Sequence, residues 1–148
     1  LIDAAARRHG VDPSLLAIVT WVESHGDPDA RSPSGARGLM QLMPRTAAQI
    51  ARERGLTGHD EARLDDPAYN LDLGAYHLAE LIEEYGAGDD LDADTVALAA
   101  AAYNGGSTRV DAWLAGGTLP DETQRYKDVV VSLWQARELE RAPELESR

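Results

Sequence analysis

The stretch Asp12-Pro13-Ser14-Leu15-Leu16-Ala17-Ile18-Val19-Thr20-Trp21-Val22-Glu23-Ser24-His25-Gly26 carries its own start, apolar face and stop. Asp12 supplies an acceptor for the orphan N–H groups of a first turn, and Pro13 has the fixed φ suited to a first helical position. Leu15, Leu16, Val19 and Val22 recur at helical spacing. The pattern predicts a helix from Pro13 to about His25-Gly26.

The same punctuation repeats in both directions. Upstream, Leu1 to His9 reads as a helix closed by Gly10. Downstream, residues 26–37 hold Asp, Pro, Ser and Gly without periodicity and read as loop. The apolar run Gly38 to Met43 is ambiguous in type. Helices are then expected from Pro44 to Arg54, closed by Gly55, and from Asp66-Pro67 to Gly86, with Leu71, Leu78, Leu81 and Ile82 on the apolar face. Six carboxylates between Glu83 and Asp94 read as a mostly solvated loop. Asp94 is the expected cap of an Ala-rich helix reaching Tyr103, broken by Gly105-Gly106. Ser107 would cap the next helix, which carries Val110, Trp113 and Leu114 and stops at Gly116-Gly117. Asp121 and Gln124 resemble a capping box for the last helix. That helix would bury Tyr126, Val130, Leu133 and Trp134 and fade before Pro143.

Strand signals are nearly absent: Phe is missing and alternating runs do not occur. The expected fold is a single all-α domain of about seven short helices over residues 1–140, followed by a polar tail, 141–148. At 148 residues such a domain buries roughly 70% of its unfolded surface.

Composition excludes several functions. A formal net charge of −12 is the wrong sign for a nucleic-acid partner or for docking on anionic lipid. Without Cys there is no disulfide, thiol catalysis or cysteine zinc site. His9, His25, His59 and His77 lack ligand spacing, so no metal site is expected. There is no phosphate loop, no Gly-x-Ser-x-Gly elbow, no apolar run of about 18 residues and no signal peptide. The chain reads as a mature domain or an excised piece of a longer protein.

Glu23 is the residue with chemical interest. It lies in the last turn of an apolar helix. The negative end of the helix dipole and desolvation by Trp21 and Val22 would both raise its pKa. A carboxylic acid kept protonated near neutral pH can donate to a leaving oxygen. Local pattern alone favours the blander reading, an exposed glutamate at a helix end.

The text around Glu23 weakens that reading. Glu23-Ser24, followed by the run from Ser32 to Ala47 (Ser-Pro-Ser-Gly-Ala-Arg-Gly-Leu-Met-Gln-Leu-Met-Pro-Arg-Thr-Ala), resembles the central signature of soluble lytic transglycosylases. This is glycoside hydrolase family 23, with a lysozyme-like fold related to goose-type lysozymes. Ala102-Tyr103-Asn104-Gly105-Gly106 resembles the family's Ala-Tyr-Asn-Ala-Gly element, and Glu122-Thr123-Gln124-Arg125-Tyr126 its Glu-Thr-x-x-Tyr element. The three pieces stand in family order and span roughly residues 1 to 135.

The resemblance implies roles. Glu23 matches the single catalytic acid/base. Ser32 matches a serine holding the sugar, and Gln41 and Met43 match groove-lining positions. Tyr103 and Asn104 match the pair facing the catalytic glutamate, and Glu122 and Tyr126 match further substrate contacts. Gly105 replaces the usual Ala, a harmless-looking change. Bland alternatives stand beside these. Leu39 and Leu42 fit the core better than the site, and Tyr126, at helical spacing from Val130, fits either. Glu122 suits a helix N-terminus without any function. Ser32 and Ser34 also suit a turn, and Gly38 suits a close approach of chain or ligand.

Most glycosidases flank the scissile bond with two carboxylates. Residues 30–41 contain none, and Asp27 and Asp29 are the nearest candidates for a second. The resemblance therefore implies a one-carboxylate, non-hydrolytic cleavage of peptidoglycan that leaves 1,6-anhydro-muramic acid ends and needs no cofactor. The alternatives are a hydrolytic muramidase and an inactive glycan-binding module of a larger protein. The expected partner is a peptidoglycan glycan strand, with no nucleic acid and no membrane insertion. The expected state is monomeric and the expected location the cell envelope.

Overall fold

Asp12 caps its helix as its position predicts, its carboxylate accepting the N–H groups of Ser14 at 2.8 Å and Leu15 at 3.3 Å. In this computed structural model the backbone is described for residues 1–86, 88 and 90–146, and side chains within that range as far as Arg137. Its regular structure is helical: α1 (Ile2–His9), α2 (Pro13–Ser24), α3 (Pro44–Glu53), α4 (Pro67–Tyr85), α5 (Ala93–Gly105), α6 (Ser107–Leu114) and α7 (Asp121–Glu146). A 3-10 turn at Glu61–Asp65, which the sequence pattern does not announce, precedes α4. The expectation of an all-α domain with about seven helices holds. The chain divides into two compact units, Leu1–Ala79 and the part from Glu80 onward.

In the first unit α1 packs on α2. Leu15, Leu16 and Val19 are buried, as are Met40, Leu42, Ile50, Leu64, Leu71 and Leu78. Each such large apolar side chain contributes on the order of 2 kcal/mol. Asp72 on α4 fastens two other helices. It accepts His9 Nε2 at 2.7 Å and Arg8 Nη1 at 3.2 Å from α1, and takes Arg54 Nη1 at 2.9 Å from the end of α3. Burial pushes the Asp72 carboxyl up, but the bonds from His9, Arg54 and Arg8 outweigh it and hold the group below the usual carboxylate range. Asn70, two residues before Asp72, is fully buried. Its amide bridges the loop before α3 and the turn before α4.

In the second unit α5 packs on both α6 and α7. Ala99 to Ala102 are all buried, as are Val110 of α6 and Tyr126, Val130 and Trp134 of α7. The last three recur every fourth residue and form one face of α7.

Several expected boundaries shift. Asp92, not Asp94, caps α5, its Oδ1 accepting the Thr95 N–H at 2.8 Å. That helix runs through Gly105, and only Gly106, at φ 90°, breaks it. Gly106 is therefore the cap of α6, and Ser107 is its first helical residue, donating its hydroxyl to Glu84 at 3.3 Å. No capping box forms at α7: the Pro120 carbonyl accepts the Gln124 N–H, and the Gln124 side chain donates forward to Asp128. The helix also continues past Pro143 to Glu146. Leu133 and Leu114, expected on apolar faces, are exposed. The acidic stretch from Glu83 is helical to Tyr85 and again from Ala93, so the connection is shorter than expected. Residues 87, 89, 147 and 148 of the acidic and tail segments lie outside the described residues.

Candidate active site

Glu23 occupies the closing turn of α2 and is half-buried. At 100° per residue it shares a helix face with Leu16, Val19 and Thr20, all buried. Trp21 lies about 200° away on the opposite face. It is 57% exposed, and its ring meets His25 edge-on at 4.8 Å between centroids. The expectation that Trp21 desolvates Glu23 is thus corrected: the two side chains leave α2 on opposite sides. The helix stops because His25 turns left-handed at φ 53° and returns its N–H to the Trp21 carbonyl at 2.9 Å. Ser24, buried beside Glu23, donates to the Thr20 carbonyl at 3.0 Å and accepts the Gly26 N–H at 3.2 Å.

The loop from 26 to 43 is neither helix nor strand. Arg37 forms isolated antiparallel bridges with Arg31 and with Leu42, so the ambiguous run 38–43 is a tight turn closed by the paired N–H···O bonds of Arg37 and Leu42. Leu39, Met40 and Leu42 are buried and belong to the core. Asn70 holds the turn from below: its Oδ1 accepts the Met40 N–H at 2.8 Å, and its Nδ2 donates to the carbonyls of Arg37 at 2.9 Å and Leu64 at 3.0 Å. Gly38, at φ 81°, leaves room for this; a Cβ there would strike the Asn70 amide and lie 2.6 Å from the Leu64 carbonyl. Arg37 ties the loop to the 3-10 turn through Asp65 at 2.8 Å and Glu61 at 3.1 Å. The Arg37 guanidinium holds the Asp65 carboxyl below its ordinary range.

Ser32 and Gln41 both have structural work in this loop. The Ser32 hydroxyl accepts the Ala36 N–H at 2.9 Å and shares a bond with Ser34 Oγ at 3.1 Å. Gln41, at φ 49°, donates its Nε2 to the carbonyls of Ala30 at 3.0 Å and Gly38 at 2.9 Å. Met43, at the start of α3, is 41% exposed.

In the second unit Tyr103 and Asn104 lie in the last turn of α5 and are half-buried. Asn104 Oδ1 accepts the hydroxyl of Thr123 at 2.9 Å. Glu122 is exposed in the first turn of α7, and Tyr126 is 8% exposed among core residues.

Sequence reasoning passes over Asn70 and Thr123. Asn70 stands in no motif and on no local pattern; Thr123 stands inside the Glu-Thr-x-x-Tyr element, where the resemblance implies no role for it.

A family model described as the transglycosylase SLT domain matches residues 1–123. The chain belongs to this family. Among curated relatives, the membrane-bound lytic murein transglycosylases C of Actinobacillus pleuropneumoniae and Haemophilus ducreyi are each 42% identical over 87 residues. The matched stretch is 57% of this chain and 24% of each relative, so the SLT chain spans about a quarter of their length. Among solved structures, an inactive glutamate-to-glutamine mutant of lytic transglycosylase Slt from Pseudomonas aeruginosa superposes with a TM-score of 0.77 at 33% identity, over 89% of this chain and 22% of that one. The 70 kDa soluble lytic transglycosylase of Escherichia coli gives 0.76 at 26% identity, over 88% and 23%. A complex of a 70 kDa soluble lytic transglycosylase with bulgecin A gives 0.78 at 25% identity, over 93% and 24%.

Proposed function

We propose that this SLT domain is a peptidoglycan lytic transglycosylase of the cell envelope, with residues 1–140 as its catalytic part. It cleaves the β-1,4 bond between N-acetylmuramic acid and N-acetylglucosamine without water. The observation that carries the reading is the half-buried Glu23 at the closing turn of α2, inside the SLT match over residues 1–123. The names of the relatives, lytic murein transglycosylases, support the substrate and the location.

Glu23 acts twice. As an acid it protonates the glycosidic oxygen, and the oxocarbenium-like charge is met by the substrate's own N-acetyl group. As a carboxylate it then takes the proton of the muramoyl O6 hydroxyl. That oxygen attacks the anomeric carbon and closes the 1,6-anhydro ring. An internal nucleophile held in position has a high effective molarity, which favours it over water. Hydrolysis would need a second carboxylate to hold a water. The nearest acids, Asp27 and Asp29, are exposed, and an Asp27 oxygen is engaged by the Asp29 N–H at 2.9 Å. Ser32, Gln41, Met43, Tyr103, Asn104, Glu122 and Tyr126 are the proposed substrate contacts. The scheme uses no metal or organic cofactor.

The test is a digest of purified peptidoglycan read by mass spectrometry, with reducing ends assayed before and after borohydride. Products lighter by one water and lacking new reducing ends support the reading. A majority of reducible new ends makes the enzyme a hydrolase and turns attention to Asp27 and Asp29.

A further inference from the structure

The mechanism above gives the Thr123 hydroxyl no task, yet three observations converge on it. Thr123 lies in the first turn of α7, 2% exposed, and donates to Asn104 Oδ1 at 2.9 Å. Asn104 is half-buried in the last turn of α5. Between them stands Gly105, the last residue of α5. A Cβ on Gly105 would lie 2.8 Å from Thr123 Oγ1 and 3.0 Å from its Cγ2. The missing methyl lets Thr123 come close enough to make the bond, so the replacement of Ala by Gly is not neutral in this chain.

The consequence concerns the two faces of an amide. Oδ1 accepts and Nδ2 donates, and a half-turn about the terminal torsion exchanges them. A threonine hydroxyl can serve either face, and in the arrangement observed it engages Oδ1, holds the side chain in place and leaves the two Nδ2 hydrogens directed away from Thr123.

We propose that Thr123, seated by Gly105, is a positioning residue that locks Asn104 with its Nδ2 as the donor offered to an acceptor oxygen of the glycan. The proposal rests on the reading of Asn104 as a substrate contact. Thr123→Val keeps the shape and deletes the hydroxyl; Thr123→Ser keeps the hydroxyl. Losing one oriented hydrogen bond lowers kcat/KM about tenfold in T123V, while T123S restores most of it. The N104A/T123V double variant is no worse than N104A, because both remove the same interaction. T123V within about twofold of wild type, or losses that add in the double variant, would overturn the proposal. A Thr123 that merely holds α7 on α5 would lower the melting temperature of T123V and leave turnover per folded molecule unchanged.

A readout free of activity separates this proposal from the enzyme reading. The hydroxyl proton of Thr123, which makes the bond to Asn104 Oδ1, should exchange slowly with solvent in the wild type. A Thr123 hydroxyl proton in the wild type that exchanges as fast as that of exposed Ser132 overturns the proposal, and this measurement stands even if T123V does not fold. Slow exchange at the Thr123 hydroxyl in a protein that releases no muropeptides defeats the transglycosylase reading alone.

Discussion

The Asn70 side chain accepts the backbone N–H of Met40 at 2.8 Å across thirty residues of chain. With two further bonds, to the carbonyls of Arg37 and Leu64, this one amide shapes the turn that precedes α3. A loop rich in Gly, Ser and Pro has little periodicity of its own, and a buried side chain supplies its template.

Asn70→Ala should therefore be severe. It strands the Met40 N–H and the Leu64 carbonyl in the interior, and each buried group left unpaired costs about 1–3 kcal/mol. Urea unfolding should show a loss of about 3 kcal/mol or more. Gly38→Ala should follow it, since φ 81° and the Asn70 amide both oppose a Cβ. A loss under about 1 kcal/mol in either variant would show that the turn holds itself.

Glu23→Gln should separate chemistry from folding. The neutral amide keeps the size of the side chain and its place in the closing turn of α2, so thermal stability should change little. Clearing of purified cell walls should fall about 10²- to 10⁴-fold, the usual value of a proton donor. Activity near wild type would remove Glu23 from the mechanism.

Tyr103→Phe preserves the ring and deletes one hydroxyl. If the hydroxyl serves substrate, turnover should drop at least tenfold while the melting temperature moves little. Unchanged turnover with a stability loss of about 1–3 kcal/mol would assign the hydroxyl to an internal hydrogen bond.

Acid should weaken the first unit through Asp72. Its carboxyl is held below the ordinary value by His9, Arg54 and Arg8 against the effect of burial. A depressed folded-state pKa contributes stability above the unfolded value, about 3.9, and that contribution is lost as pH falls through the folded value. Wild type should therefore exceed Asp72→Asn in stability at pH 6–7, and the gap should narrow below about pH 4. Denaturant midpoints from pH 2.5 to 7 measure this. A gap that does not change with pH would mean that packing, not charge, sets the cost of the substitution.

The sequence by itself determined the helices and the family. Helices are written locally: Asp12 reaches only to Ser14 and Leu15, Gly10 turns left-handed where Val11 follows, and buried residues recur every three or four positions. Glu23, the Ser32–Ala47 run and the two later elements were legible because motif order survives without geometry. The tertiary structure decided what depends on distant partners. Asn70, thirty residues from Met40, shapes the loop before α3, and Thr123, nineteen residues from Asn104, engages its amide. Gly106 rather than Ser107 caps α6, because the Ser107 hydroxyl goes to Glu84. Trp21 faces away from Glu23, as the 100° step of the helix requires once the buried face is known. Local hydrogen bonds within four residues can be read from spacing; a side chain that closes a contact across a long loop has no periodicity to announce it, and only the folded chain shows which partner it meets.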